Sequence, residues 1–150
     1  MKANTFAKNV LKLFLILLAS ASFECNDNPL SPVDASLGTD FDIKFGQTAI
    51  LRSDSLYITF KDVAEARCPI GLQCFAAGNA NITLMIQQRG MTKFDTLRTD
   101  NPVKIIRTHT FTYYKFTIKD LTPYPVYQKE MVKEKYTVTL NVVRLQYIRK

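Results

Sequence analysis

Apolar and polar residues alternate with a period of two along most of this chain. FDIKF, residues 41 to 45, sets Phe41, Ile43 and Phe45 on one side and Asp42 and Lys44 on the other, the pattern of a strand with one face in a core. TAIL (48–51) and SLYITF (55–60) continue it on either side of RSD, with Leu56, Ile58 and Phe60 sharing a face. NITLMIQQ aligns Ile82, Leu84 and Ile86, Arg89-Gly90 supplies a tight turn, and TKFDTLRT returns as the hairpin partner. Asp100-Asn101-Pro102 punctuates the next reversal. VKIIRT and TFTYYKFTIKDL then form an antiparallel pair with Tyr114, Phe116 and Ile118 inward.

The alternation lapses in LTPYPVYQKEMVKEK, residues 121 to 135, where Pro123 and Pro125 cannot donate to a ladder and fit only an edge or a loop. It resumes in KYTVTLNVVRLQYI, with Tyr136, Val138, Leu140 and Val142 inward; the Val142-Val143 pair breaks the period and predicts a bulge there. No segment has the 3.6 period of an amphipathic helix of useful length. Seven to eight short strands without crossover helices predict an all-β fold, a single antiparallel β-sandwich of immunoglobulin-like or Greek-key type. The long connections at 61–79 and 121–135 are the expected Greek-key crossovers.

The N-terminus has a different pattern. MKANTFAKNVLKLFLILLASASFEC places Lys2, Lys8 and Lys12 ahead of an apolar run from Leu13 to Ala19, followed by small residues, the order of a signal peptide. The run is far shorter than the roughly 20 residues a membrane-spanning helix needs. Cys25 at the end of SFEC reads as the cysteine that receives lipid in bacterial lipoproteins, although Phe23 and Glu24 stand where a lipobox has small residues. Cleavage after Ala21, in Ala19-Ser20-Ala21, is the alternative and would release a soluble periplasmic or secreted protein. NDNPLSP, residues 26 to 32, resembles the tether that follows a lipidated cysteine. The predicted organisation is a signal peptide over 1–24, a flexible tether over 25–39 and the sandwich over 40–150, with the chain exported and held at the outer membrane or cell envelope through Cys25.

Composition bounds the rest. The 150 residues are 47% hydrophobic and the net charge is +7, enough apolar content for one core and too little bias for disorder. The charge is uneven: Cys25–Asp100 carries 7 Lys and Arg against 9 Asp and Glu, whereas Asn101–Lys150 carries 10 against 3. These bases alternate with apolar residues and so read as the wet face of strands. No helix-turn-helix, zinc-finger or RNP-like pattern accompanies them, and no nucleic-acid partner is expected.

Candidate chemistry is sparse. Structural zinc takes four convergent ligands; here there is one histidine, His109, and a soft-metal set would have to be gathered from Cys68, Cys74, Met85, Met91 and His109. The carboxylate pairs Asp40 with Asp42 and Asp62 with Glu65 have no spacing that separates them from solvated strand acids. No cofactor, metal site or catalytic residue is assigned, and the sequence reads as non-enzymatic. In EARCPIGLQCFAAGNANITL, residues 65 to 84, Cys68 and Cys74 are spaced C-x5-C around Pro69 and Gly71. In an exporting compartment that spacing reads as a disulfide closing a small loop, with a redox pair and a soft-metal site as alternatives. Pairing them leaves Cys25 as the odd cysteine, which lipid attachment explains.

Arg67, Cys68, Pro69, Cys74, Ala77, Gly78, Ala80, Ile82 and Leu84 make a pattern R-C-P-x4-C-x-x-A-G-x-A-x-[VI]-x-L, and this segment resembles one found in small exported proteins and lipoproteins of Bacteroidota. DSLYITFKDV and YTVTLNVVRL resemble the flanking strands. Ala66 and Ala76 depart from that pattern, where Ser and Trp are usual. The resemblance implies an exported β-sandwich and no reaction. Function is accordingly expected in a binding or structural module of the envelope, presented on the surface facing away from the membrane. The alternatives are a protease-inhibitor-like or adaptor sandwich acting through its loops, and a glycan-binding module. Residues offered for a ligand surface are Tyr113, Tyr124, Tyr127, Lys129, Lys133 and Lys135.

Overall fold

A computed structural model describes residues 30–109 and 112–146. The predicted signal peptide, Cys25 and the first residues of the tether lie outside the described residues. Nine strands are present among the described residues: β1 (Val33–Ala35), β2 (Asp40–Lys44), β3 (Thr48–Leu51), β4 (Leu56–Glu65), β5 (Ala80–Gln88), β6 (Met91–Arg98), β7 (Val103–His109), β8 (Thr112–Thr122) and β9 (Thr137–Leu145). They form two sheets, ordered β1-β3-β4-β5-β6 and β2-β9-β8-β7, packed face to face as a β-sandwich.

The alternation in the sequence is the alternation of burial. Ile58, Phe60, Ile82, Leu84 and Ile86 from one sheet meet Ile43, Tyr114, Phe116, Val138 and Leu140 from the other, all essentially without solvent exposure. The β5–β6 hairpin turns on Arg89 and Gly90, both with positive φ (48° and 79°), the backbone a two-residue turn requires if the strands are to keep their twist.

Four expectations are corrected. The sandwich begins at Val33, not at residue 40, because Val33 and Ala35 pair in parallel with Ala49 and Leu51. The three strand residues Val33–Ala35 are too few for a period to be visible, so the chain there read as tether. The strand count is therefore nine, not seven to eight. No bulge lies at Val142-Val143, which pair in unbroken register with Phe116 and Lys115; the bulge of this ladder is on β8, where Ile118 pairs with Leu140 and Asp120 with Thr139, leaving Lys119 as the extra residue. The long connections, finally, do not cross between sheets. Residues 66–79 join β4 to its neighbour β5 and residues 123–136 join β8 to its neighbour β9, while short links at 36–39, 45–47 and 99–102 cross the sandwich.

A second bulge mirrors the first. Phe60 pairs with Leu84 and Asp62 with Thr83, so Lys61 is the extra residue of β4. Both sit in the same local sequence, ITFKDV (58–63) and FTIKDL (116–121). Each inserts an exposed lysine and rephases its strand: Ile58 and Phe60 point inward before it and Val63 after, Phe116 and Ile118 before it and Leu121 after. Each bulged strand then feeds one of the two long loops, and both loops emerge at the same end of the sandwich.

Gly78 anchors the first of them. Its φ is +67°, and a Cβ there would lie 1.9 Å from the Ala66 carbonyl oxygen, so the two sides of the loop close only with hydrogen at that position. Gly38 and Gly90 have φ near +80° with nothing within 4 Å of a Cβ. Alanine at Gly38 or Gly90 is expected to cost about 1–2 kcal/mol, the left-handed strain alone. Gly78→Ala adds a backbone collision and is expected to exceed either by at least about 2 kcal/mol in urea titration; equal losses at all three positions would refute the close approach.

Candidate functional site

Rephasing β4 turns Glu65 inward, and around it the two long loops are tied together. The Arg67 guanidinium lies against the Glu65 carboxylate, Nη2 to Oε2 at 2.5 Å and Nε to Oε1 at 2.9 Å, with side chains only 9% and 15% exposed. Its Nη1 donates to the Leu121 carbonyl at 2.9 Å and its Nη2 to the Pro123 carbonyl at 3.1 Å, so one cation fastens the loop of residues 66–79 to the end of β8. The remaining guanidinium face stacks on Tyr124, 4.5 Å from the ring centre. Tyr136, which enters β9, donates its hydroxyl to Glu65 Oε2 at 2.8 Å and completes the cluster across the two sheets.

Electrostatics follow from this packing. Burial raises the Glu65 carboxyl, but hydrogen bonds from Arg67 and Tyr136 outweigh it and leave the group below the ordinary carboxylate range. Burial lowers Arg67, and its contacts with Glu65 more than compensate. The Tyr136 phenol is pushed up to about 12, by burial first and by the Glu65 carboxylate second.

Beyond this cluster the loops carry a shared tip. Cys68 and Cys74 are joined by a disulfide, as expected from their spacing. The ring is held to loop 123–136 by a short ladder, Ile70 N to Pro125 O at 2.9 Å and Tyr127 N to Ile70 O at 2.9 Å. By the chain-entropy relation a ring of this size stabilises by roughly 2 kcal/mol. From the ring and its margin Ile70, Leu72 and Phe75 project into solvent, Phe75 completely. From loop 123–136 come Tyr124, Val126, Tyr127 and Val132. Seven of the thirteen large exposed apolar side chains among the described residues thus share one end of the molecule, a concentration typical of an interaction surface. Loop 123–136 also folds around an open hollow of about 410 Å³ lined by Tyr124, Lys129, Met131 and Lys135 among others. Tyr124 separates it from a second hollow of about 460 Å³ that reaches Asp100, Lys119 and Asp120.

Of the residues offered for a ligand surface, five fall together in this loop: Tyr124, Tyr127, Lys129, Lys133 and Lys135. Lys133 is engaged by Asp62 at 2.5 Å. Tyr113 is not with them. It lies near the start of β8, nine residues from Thr122 and so roughly 30 Å away along the strand. The soft-metal set is not assembled either: Cys68 and Cys74 are in the disulfide, and Met91 and His109 line a hollow at the opposite end. Asp40 and Asp42 accept from Asn141 and Thr139 on the outer face of β2. Asp62 and Glu65 each serve a different cation. Sequence reasoning missed the role of Arg67 and Glu65 and the apolar tip. The available signal was Ile70, Leu72 and Phe75 in a Pro- and Gly-containing loop, where polar residues are the norm.

The opposite end carries a second clamp between the sheets. Tyr114 donates to Asp54 Oδ2 at 2.5 Å, Gln88 Nε2 donates to the Tyr114 oxygen at 2.8 Å, and Thr108 donates to Gln88 Oε1 at 2.6 Å. Burial, then the Asp54 carboxylate, raises Tyr114 to about 12. No buried side-chain nitrogen or oxygen among the described residues lacks a partner, which makes this network a closed structural joint. Together the fold and the loops define a two-sheet β-sandwich with a rigid, apolar, disulfide-bound tip. Searches with this chain find no matching protein-family model, no matching curated protein and no matching solved structure.

Removing one member of a buried ion pair strands the other. Arg67→Ala is expected to cost about 3–5 kcal/mol, and the double replacement Arg67→Met with Glu65→Leu markedly less; a double variant worse than the single would contradict this account. The tyrosines give an alkaline signature. Their protonated forms are favoured in the folded state, so their stabilisation is complete below pH 10 and is lost as pH rises through about 12. Tyr136→Phe and Tyr114→Phe should each flatten the decline of the urea midpoint over that window, whereas an unchanged slope would show that these phenols ionise normally. Glu65 acts in the other direction, with stability present above its ordinary value of 4.5 and lost as pH falls through the depressed folded value.

Proposed function

We propose that this chain is a non-catalytic, exported lipoprotein domain, attached to the envelope through Cys25, and that it works as a binding module through the disulfide end of its sandwich. The observation that carries the reading is the exposure of Ile70, Leu72 and Phe75 on a loop closed by a disulfide, laddered to its neighbour and bolted down by Arg67. A loop whose backbone is already fixed has less to order when a partner covers its apolar side chains, which is how preorganised loops gain affinity.

The resemblance to exported Bacteroidota proteins supports the same division of roles. Arg67 ties the loops, Cys68 and Cys74 form the ring, Ala77 accepts the Cys68 amide at 2.7 Å, Gly78 permits the close approach and Ala80 is buried. Each of these positions is scaffold. Ile70, Leu72 and Phe75 occupy positions that the pattern leaves free, and there the binding specificity of this chain would reside. Arg67 covers one face of the Tyr124 ring, so a sugar could stack there only on the other.

Cys25→Ala is expected to abolish palmitate incorporation and to move the full chain from the membrane fraction to the soluble one; retained label would end the lipoprotein reading. In that unanchored background, serine at Ile70, Leu72 and Phe75 together should leave the unfolding transition within about 0.5 kcal/mol per substitution. It should also reduce retention by isolated envelopes at least tenfold. Unchanged retention would show that the tip is not the binding surface.

A further inference from the structure

The direction of β1 gives this surface an occupant. Strand β4 runs from Leu56 toward the disulfide loop, β3 runs antiparallel to it, and β1 runs parallel to β3. Followed backwards from Ala35 to Leu30, the chain therefore heads toward the disulfide end. Leu30 itself is level with Phe60: its Cδ1 is 3.9 Å from where a Cβ on Gly46 would be, and the Gly46 amide donates to the Phe60 carbonyl at 2.8 Å. Ser31 is fixed beside it by a hydrogen bond from Gln47 at 2.8 Å.

Cys25 is five residue steps from Leu30, a reach of at most about 18 Å when fully extended. Phe60 and Glu65 pair with Leu84 and Ala80, four steps apart on β5, so Glu65 lies about 14 Å beyond Phe60, and both long loops project beyond Glu65. A cysteine that starts level with Phe60 thus ends no more than about 4 Å beyond Glu65, beside the loops and not past them. We infer, on the footing of the lipid attachment proposed above, that the disulfide end of the sandwich faces the membrane that carries the anchor, and that Phe75, Leu72 and Ile70 enter its headgroup and acyl boundary. The surface expected to face away from the membrane is then the Arg89-Gly90 end, and the tip is a second, non-covalent attachment.

The chemistry of the tip fits a lipid boundary. Apolar side chains stand outermost, with the amphipathic rings of Tyr124 and Tyr127 beside them, the arrangement of side chains that settle at a membrane interface. Lys129, Lys133 and Lys135 are nearly balanced by Glu130 and Glu134 in the same loop, and Lys133 is spent on Asp62. Attachment would therefore be apolar in origin and insensitive to salt.

The chain contains no tryptophan, so a single one reports without background. Full-length, lipid-modified chain carrying Phe75→Trp, and a second preparation carrying Met91→Trp at the opposite end, would be reconstituted into phosphatidylethanolamine and phosphatidylglycerol vesicles with and without brominated acyl chains. Bromine should quench the Phe75→Trp emission at least twofold, at low salt and at about 1 M salt alike, and leave Met91→Trp unchanged. Emission from Phe75→Trp identical to that in water, or equal quenching at both positions, would overturn the orientation while the lipid attachment stands. A blue shift without quenching would do the same and assign the tip to a second copy or to another part of the chain. If the intact mass shows no lipid on Cys25, the attachment itself fails and the orientation falls with it, an outcome separate from the others.

Discussion

The buried pairing of Arg67 with Glu65 is the interaction on which the two-loop end of this molecule depends. Two long loops leave neighbouring positions in two different sheets, and loops of that length do not pack against each other unaided. A guanidinium in a nearly dry site solves the problem because it has five donors in a plane and a flat face. Glu65 takes the charge, the Leu121 and Pro123 carbonyls take further protons, and Tyr124 takes the face. Desolvating such a cation is costly, and the cost is recovered because four of its five N–H groups and one of its faces are occupied. The tip beyond it inherits this rigidity.

That pairing in turn depends on the bulges. Without Lys61 as an extra residue, strict alternation along β4 would carry Glu65 to the outer face and Ala64 to the inner. A single unpaired lysine thus decides whether the carboxylate meets Tyr136 or water. The matching bulge at Lys119 does the equivalent service for Leu121, whose carbonyl Arg67 uses. Tyr136 with Glu65 at one end and Tyr114 with Asp54 at the other repeat one device, a phenol from one sheet donating to a carboxylate from the segment opposite, so the sheets are pinned at both ends of an otherwise apolar interface.

Much of the fold was legible in the sequence because burial on a strand follows parity. Phe60, Ile82, Phe116 and Val138 lie inward as alternation requires, and the Arg89-Gly90 turn is where the glycine places it. What was not legible depends on contacts distant in sequence. β1 is three residues long and exists only because β3 offers it an edge. The bulge of β8 was not read at all: Val142-Val143 suggested a break in β9, but Val143 simply takes an outward position in unbroken register, and the extra residue is Lys119, opposite Thr139 and Leu140. The repeated ITFKDV and FTIKDL would have pointed to it. At the candidate site, the disulfide was readable from spacing and compartment. Arg67 as a hub was not, because its partners are Glu65, two residues away, and carbonyls more than fifty residues away.

The parallel pairing of β1 has a mechanical side. A pull on the chain at Leu30 acts along the axis of β1, so its hydrogen bonds to β3 and the Ser31 contact with Gln47 are loaded together in shear rather than opened one after another. The same strand entering from the other direction would be peeled like a zip. Three residues of strand in this orientation thus act as a strain relief between the chain that precedes Leu30 and the core.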